Sequence, residues 1–118
     1  MIRKPAEMRA EIKEQVRGGK GRVTFQYLFQ KEEIKAKTRL CARLILPPGA
    51  SIGMHRHDGE DELFVVVKGS GILDDGRSRT HVSAGDAILT GNGESHALEN
   101  NGKDTLEVLA LIMLYGAT

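Results

Sequence analysis

Residues 49–69 read GASIGMHRHDGEDELFVVVKG, and this stretch decides the fold. Pro47-Pro48 stands immediately before it and closes the preceding strand, because proline cannot donate to a ladder. His55 and His57 are two apart, and in an extended chain side chains at i and i+2 leave the same face. A straight strand would turn Glu62 away from them. If Asp58-Gly59-Glu60-Asp61 forms a turn, Glu62 begins a new strand and can face back toward the imidazoles. Leu63–Val67 is β-branched and aromatic, which predicts a strand buried on both faces.

The same period of two extends outward from this stretch. Upstream, Leu40, Ala42, Leu44 and Leu46 alternate with Arg39, Cys41, Arg43 and Ile45, while Lys31–Lys37 is a polar connection. Before that, Val23, Phe25, Tyr27 and Phe29 alternate with Thr24, Gln26 and Gln30, a half-buried strand with Leu28 the exception. Downstream, Asp75-Gly76 has the composition of a two-residue hairpin turn, Ala87–Leu89 is a short strand, and Asn101-Gly102 marks another turn. Leu106–Tyr115 is apolar on both parities and must be covered on both sides, a cover to which a second subunit could contribute. Only the front differs. Pro5 and Glu7 suit the first turn of a helix, Met8, Ile12 and Val16 recur at four-residue steps, and Gly18-Gly19-Lys20-Gly21 ends the pattern. The expectation is a short amphipathic helical arm over 1–21, then a body over 22–118 of eight to ten short strands, an all-β sandwich or barrel.

Composition narrows the function classes. A chain of 118 residues has room for one core. Its 17 basic and 16 acidic side chains nearly cancel, which excludes a strongly basic nucleic-acid binder. The balance is uneven along the chain: residues 1–45 carry 12 basic and 5 acidic groups, residues 46–118 carry 5 and 11. The basic front is expected to pack on the acidic remainder of its own or a partner subunit. The lone Cys41 cannot form an internal disulfide and points to a reducing, cytoplasmic compartment. No apolar run approaches the roughly 18 residues of a membrane span, and Met1–Lys20 lacks a signal peptide's apolar segment.

The histidines carry the chemistry. His96 follows the Gly-rich stretch Gly91–Ser95, far from His55 and His57 in sequence. Three neutral imidazoles and one carboxylate suit a divalent first-row metal such as Mn, Fe, Co, Ni, Cu or Zn. A bare H-x-H pair does not by itself name a metal site, and His81 reads as a surface or hydrogen-bonded residue.

The larger pattern is more specific. Gly49, His55, His57, Glu62 and Gly69, then after 15 residues Gly85, Gly93, His96 and Asn100, resemble the two motifs of the cupin family in composition, spacing and order. Nine of ten signature positions match; the tenth is Gly91, where the family usually has proline. The resemblance implies a small antiparallel β-barrel of jelly-roll type with a metal inside, held by His55, His57, Glu62 and His96. It gives Asn100 a structural role in tying a loop, and it implies a loosened loop at Gly91. It also implies a homodimer.

The chain is similar to small single-domain bacterial cupins of oxalate decarboxylase-like type. That likeness implies manganese or iron before the other metals, and a small anionic organic ligand. Double-barrelled oxalate decarboxylases carry an arginine before the first histidine; the matching position here is Ile52. Three functions follow: a metalloenzyme acting on a small organic acid (lyase, decarboxylase or dioxygenase), a non-catalytic ligand-binding cupin, or a metal-dependent sugar isomerase or epimerase. Glu94 and Glu60, with Asp61, are the candidate acids or bases at the mouth. Arg56, between two ligands, points outward.

Overall fold

The strand β10 (Leu106–Leu114) runs through the middle of the larger sheet, antiparallel to β3 (Thr38–Leu46) on one side and β5 (Glu60–Lys68) on the other. In this computed structural model, which describes residues 1–116, that sheet has six strands in the order β1-β2-β3-β10-β5-β8. β1 is Ala10–Glu14, β2 Arg22–Tyr27 and β8 Ala87–Gly91. Facing it is a four-stranded sheet ordered β4-β9-β6-β7, with β4 at Ser51–Arg56, β6 at Ser70–Asp74, β7 at Arg79–Ser83 and β9 at Ser95–Glu99. The last two residues of the expected body, 117–118, lie outside the described residues.

Period-two burial builds the core between the sheets. Ala42, Leu44 and Leu46 from β3, Phe64 and Val66 from β5, and Leu106, Val108 and Ala110 from β10 are buried together with Val23, Ile52 and Leu98. Each fully buried Leu or Phe side chain is worth about 1.5–3 kcal/mol relative to exposure. Only one parity is buried. Val67 is 40% exposed, and the outward residues of β10 are half-buried, so the chain does not itself cover both faces of these strands.

The N-terminal helix does not form. Pro5–Glu7 and Val16–Gly18 are single 3-10 turns, and Ala10–Glu14 between them is a strand paired with β2, Glu11 opposite Phe25 and Lys13 opposite Val23. Among the described residues the chain has only 3-10 turns and no α-helix. The physical reason is that β2 offers an open edge whose ladder satisfies the backbone of 10–14, while the stripe Met8-Ile12-Val16 is too thin to reward a helix. Ile12 is 66% exposed. Gln15 and Arg17 take left-handed φ of 49° and 54° to turn the chain back, a path no helix could follow. The charges of β1 blunt the new edge against further pairing.

Two smaller differences concern turns. β6 and β7 are joined by four residues, 75–78, because the Asp75 carboxylate accepts from the Arg77 and Ser78 amides at 2.9 and 2.8 Å and closes a wider loop. β2 stops at Tyr27, two residues before Phe29. No helix among the described residues is long and apolar enough to cross a membrane.

Candidate metal centre

β4 and β9 place two of the histidines directly opposite each other, His55 across from His96 in the antiparallel register. His57 follows the end of β4, where Gly59 turns the chain at φ 70°. β5 then begins at Glu60, so the turn is shorter than its composition implied. Glu62, third in that strand, shares the buried parity of Phe64 and faces back toward the imidazoles. Arg56 points outward and pairs with Asp58 at 2.9 Å.

The four side chains converge. His55, His57, Glu62 and His96 each offer one ligand atom, all within 4.8 Å of one another. Glu62 Oε1 lies 2.9 Å from both His57 Nε2 and His96 Nε2, and 3.9 Å from His55 Nε2. The His57 and His96 Nε2 atoms are 3.0 Å apart, and those of His96 and His55 are 3.2 Å apart. His57, His96 and Glu62 are 1%, 1% and 4% exposed, so most of their polar atoms must find partners within the protein or at the centre itself.

The outer nitrogens show why this cluster suits a cation. His55 Nδ1 lies 2.7 Å from the Gly53 carbonyl, a pure acceptor, so that nitrogen must donate. His57 Nδ1 donates to Glu60 at 2.5 Å, and Glu60 is in turn clamped by Arg39 through bonds of 2.9 and 2.8 Å. His96 Nδ1 meets the Thr90 hydroxyl at 2.9 Å, and its ring stacks on Phe64 at 4.8 Å. In neutral His55 and His57 the Nε2 atoms are therefore bare acceptors, aimed with a carboxylate at one point. A positive charge at that point satisfies all of them, and three nitrogens with one oxygen fit a borderline divalent ion.

Burial pushes the Glu62 carboxyl up, but the contacts with His55 and His96 outweigh it and leave it at about 2. Burial holds His96 below the ordinary imidazole range. The Arg39 guanidinium keeps Glu60 ionised, below the usual carboxylate range.

A cavity of about 470 Å³ opens above the cluster, with His55, His57 and Glu62 in its lining. Neither Glu94 nor Glu60 is in that lining. Glu60 orients His57 instead, and the Glu94 carboxylate accepts from the Gly91 amide at 3.2 Å, closing the turn before His96. Asp61 accepts from the Tyr115 hydroxyl at 2.6 Å, which in turn receives the Asn92 amide at 2.9 Å. That clip ties down the loop before His96. Gly91, which stands where the family usually has proline, packs against the Asp61 carboxylate, and a Cβ there would have to displace that side chain.

His81 lies exposed on β7, away from the cluster. Asn100 ties its loop, donating to the Leu46 and Asp104 carbonyls at 2.8 and 2.9 Å. Sequence reasoning missed Arg39, Thr90, Glu11 and Tyr27. The Tyr27 hydroxyl donates to Glu11 at 3.1 Å on the cavity wall, and burial, then Glu11, raises its pKa. For Glu11 and Tyr27 the one available signal was alternation, had residues 10–14 been read as a strand.

The family model described as "Cupin domain" matches residues 42–112. The "Oxalate-binding protein" of Thermotoga maritima is 42% identical over 114 residues, 97% of this chain and 94% of that protein. A Thermotoga maritima crystal structure described as a predicted oxalate decarboxylase superposes with a TM-score of 0.92 at 42% identity, covering 97% of this chain and 99% of that one. The polyketide cyclase RemF of Streptomyces resistomycificus shares the fold at a TM-score of 0.74 and 21% identity, covering 100% of this chain and 88% of that one.

Proposed function

Because this chain belongs to the cupin family, we propose that it holds one divalent transition metal on His55, His57, Glu62 and His96 and there binds a small organic acid of oxalate's kind. The observation that carries this reading is the set of bare acceptors converging at the foot of the cavity. With three neutral imidazoles and one carboxylate, a divalent ion keeps one net positive charge, which favours a small anion in its remaining positions. Manganese or iron is the favoured metal. The chain's own part is to fix the His55 and His57 tautomers through Gly53 and Glu60, to hold the His96 ring through Thr90, and to exclude water with Ile52, Phe64 and Leu44.

Binding without turnover is the reading we favour, since Ile52 stands where double-barrelled oxalate decarboxylases carry arginine. The second reading, catalysis on the same acid, is supported by the Tyr27–Glu11 pair, a hydroxyl and a carboxylate positioned to hold or pass a proton on the cavity wall. A bound metal would add Lewis acidity or redox capacity. We place the protein in the cytoplasm as a homodimer, a pairing supported by the half-buried apolar outer faces of β5 and β10 and checked by light scattering.

Metal analysis after reconstitution with manganese and with iron should give about one ion per chain, by the count of one ligand cluster. Calorimetry should then show oxalate binding to the loaded protein and none to the metal-free protein. Formate and carbon dioxide released from oxalate would establish the second reading over the first. Oxalate that binds neither form would overturn both.

A further inference from the structure

The cavity is much larger than oxalate requires. Its volume of about 470 Å³ equals the liquid share of roughly sixteen waters at ~30 Å³ each. Oxalate has six non-hydrogen atoms. The rest of the space is lined by hydrocarbon and by charged side chains of both signs, Glu11 and Glu32 among them. The ligand cluster is followed by buried hydrocarbon, Phe25, Leu44, Ile52 and Phe64, and the exposed cations Lys13 and Arg17 also line the cavity.

The cations of the lining are not alike. Arg9 is paired with Glu11 and Arg39 with Glu60, whereas Lys13, Arg17 and Lys31 have no carboxylate partner among the described residues, and of these three Lys13 is the one held over an aromatic ring. Lys13 projects from β1 with Nζ 4.4 Å above the Phe25 ring, so the ammonium stands directly over the apolar wall. Arg17 sits in the left-handed turn after β1. Its carbonyl packs against Gly53 so closely that a Cβ there has no room, and Gly53 is the residue that orients His55. The positive rim is thus anchored to the metal-ligand strand.

Resting on the function proposed above, we infer that the cavity takes an organic dianion with an apolar spacer between its acidic groups. One group lies at the metal centre, the spacer lies on Phe25 and Leu44, and the distal group lies on Lys13 with Arg17 beside it. Oxalate fills only the inner part of this site.

The test is a calorimetric series on manganese-loaded protein. The probes are oxalate, the straight-chain dicarboxylates from malonate to suberate, and the monocarboxylate of each length. At the length that spans the cavity, the dicarboxylate should bind about tenfold or more tighter than its monocarboxylate, the worth of one charge-assisted hydrogen bond. Lys13→Met should abolish that excess while leaving oxalate within about twofold, since a rim charge acts only weakly at a distance through screened solvent. Lys13 is exposed on an edge strand, so the variant should fold; its circular dichroism and metal content verify this, and the wild-type series stands alone if it does not.

If oxalate binds but no dicarboxylate exceeds its monocarboxylate, the inference is overturned and the proposed function stands. An equal loss of oxalate and the longer acid in Lys13→Met overturns it too, reducing Lys13 to general attraction. If no carboxylate binds the loaded protein, the proposed function itself has failed.

Discussion

β10 passes through two different kinds of interior. At Leu106 it lies beside Leu46, in a region filled by Val66, Leu98 and Val108; six residues later Ile112 lies beside Glu62, among three imidazoles. Leu106 and His96 are equally buried, at 0% and 1% exposure. The same depth is used in opposite ways. At the apolar end burial is its own reward and the packed side chains are hydrocarbon, with Asn100 the buried exception, its amide spent on the Leu46 and Asp104 carbonyls. At the polar end burial is a cost, met on the outer side by fixed partners and on the inner side by whatever charge occupies the centre. The first end should hold the fold and the second should hold the ligand, and each can be disturbed without the other.

The largest effect tests the apolar end. Leu106→Ala should cost about 2–5 kcal/mol of stability by leaving a cavity, measured by denaturant unfolding, while metal content stays at the wild-type level. A variant that also lost its metal would show the two ends to be one cooperative unit. The next tests the outer partners of the polar end. Glu60→Gln keeps the shape of the His57 contact but removes the charge that Arg39 clamps, and should weaken metal binding about 10–100-fold in chelator competition. Thr90→Val, which removes a neutral partner of His96, should fall near or below the low end of that range. Equal losses would mean that the charge of Glu60 adds nothing beyond orientation.

The two ends also differed in how readily the sequence revealed them. The apolar end was legible because alternation over residues 39–46 and the Pro47-Pro48 stop are local signals. The four converging side chains were legible as well, through the spacing of His55, His57 and Glu62 and the fixed order of the glycines. Their outer partners were not. Arg39 reaches Glu60 across 21 positions and Thr90 reaches His96 only through the bend between β8 and β9, and no period or motif encodes either contact. The N-terminal arm failed for a related reason. A four-residue stripe signals a helix in isolation, but the free edge of β2 lies outside the window in which a period is read. Pairing with that edge brought Glu11 and Lys13 to the cavity, so the error in fold concealed part of the site.

The smallest effect belongs to the outer rim of the polar end, where the first residues are tied to the turn Lys31–Glu33. Arg3 grips Glu33 with two bonds of 2.7 Å, and the Gln30 amide donates to the same carboxylate at 2.8 Å. The Arg3 guanidinium, then the Gln30 amide, hold that carboxyl at about 2, below its ordinary 4.5. A carboxyl depressed in the folded chain contributes stability above its ordinary value and loses that contribution as pH falls from 4.5 toward 2. The stability difference between wild type and Glu33→Gln should therefore be constant at neutral pH, shrink through that acid window and vanish below it. Added salt should reduce it at neutral pH, because the pair is exposed to screening. Metal affinity should not change, since this clip holds the rim and touches none of the converging ligands. A Glu33→Gln protein that bound metal more weakly would mean that the polar end is set from its outermost turn inward, and that its buried partners alone do not fix it.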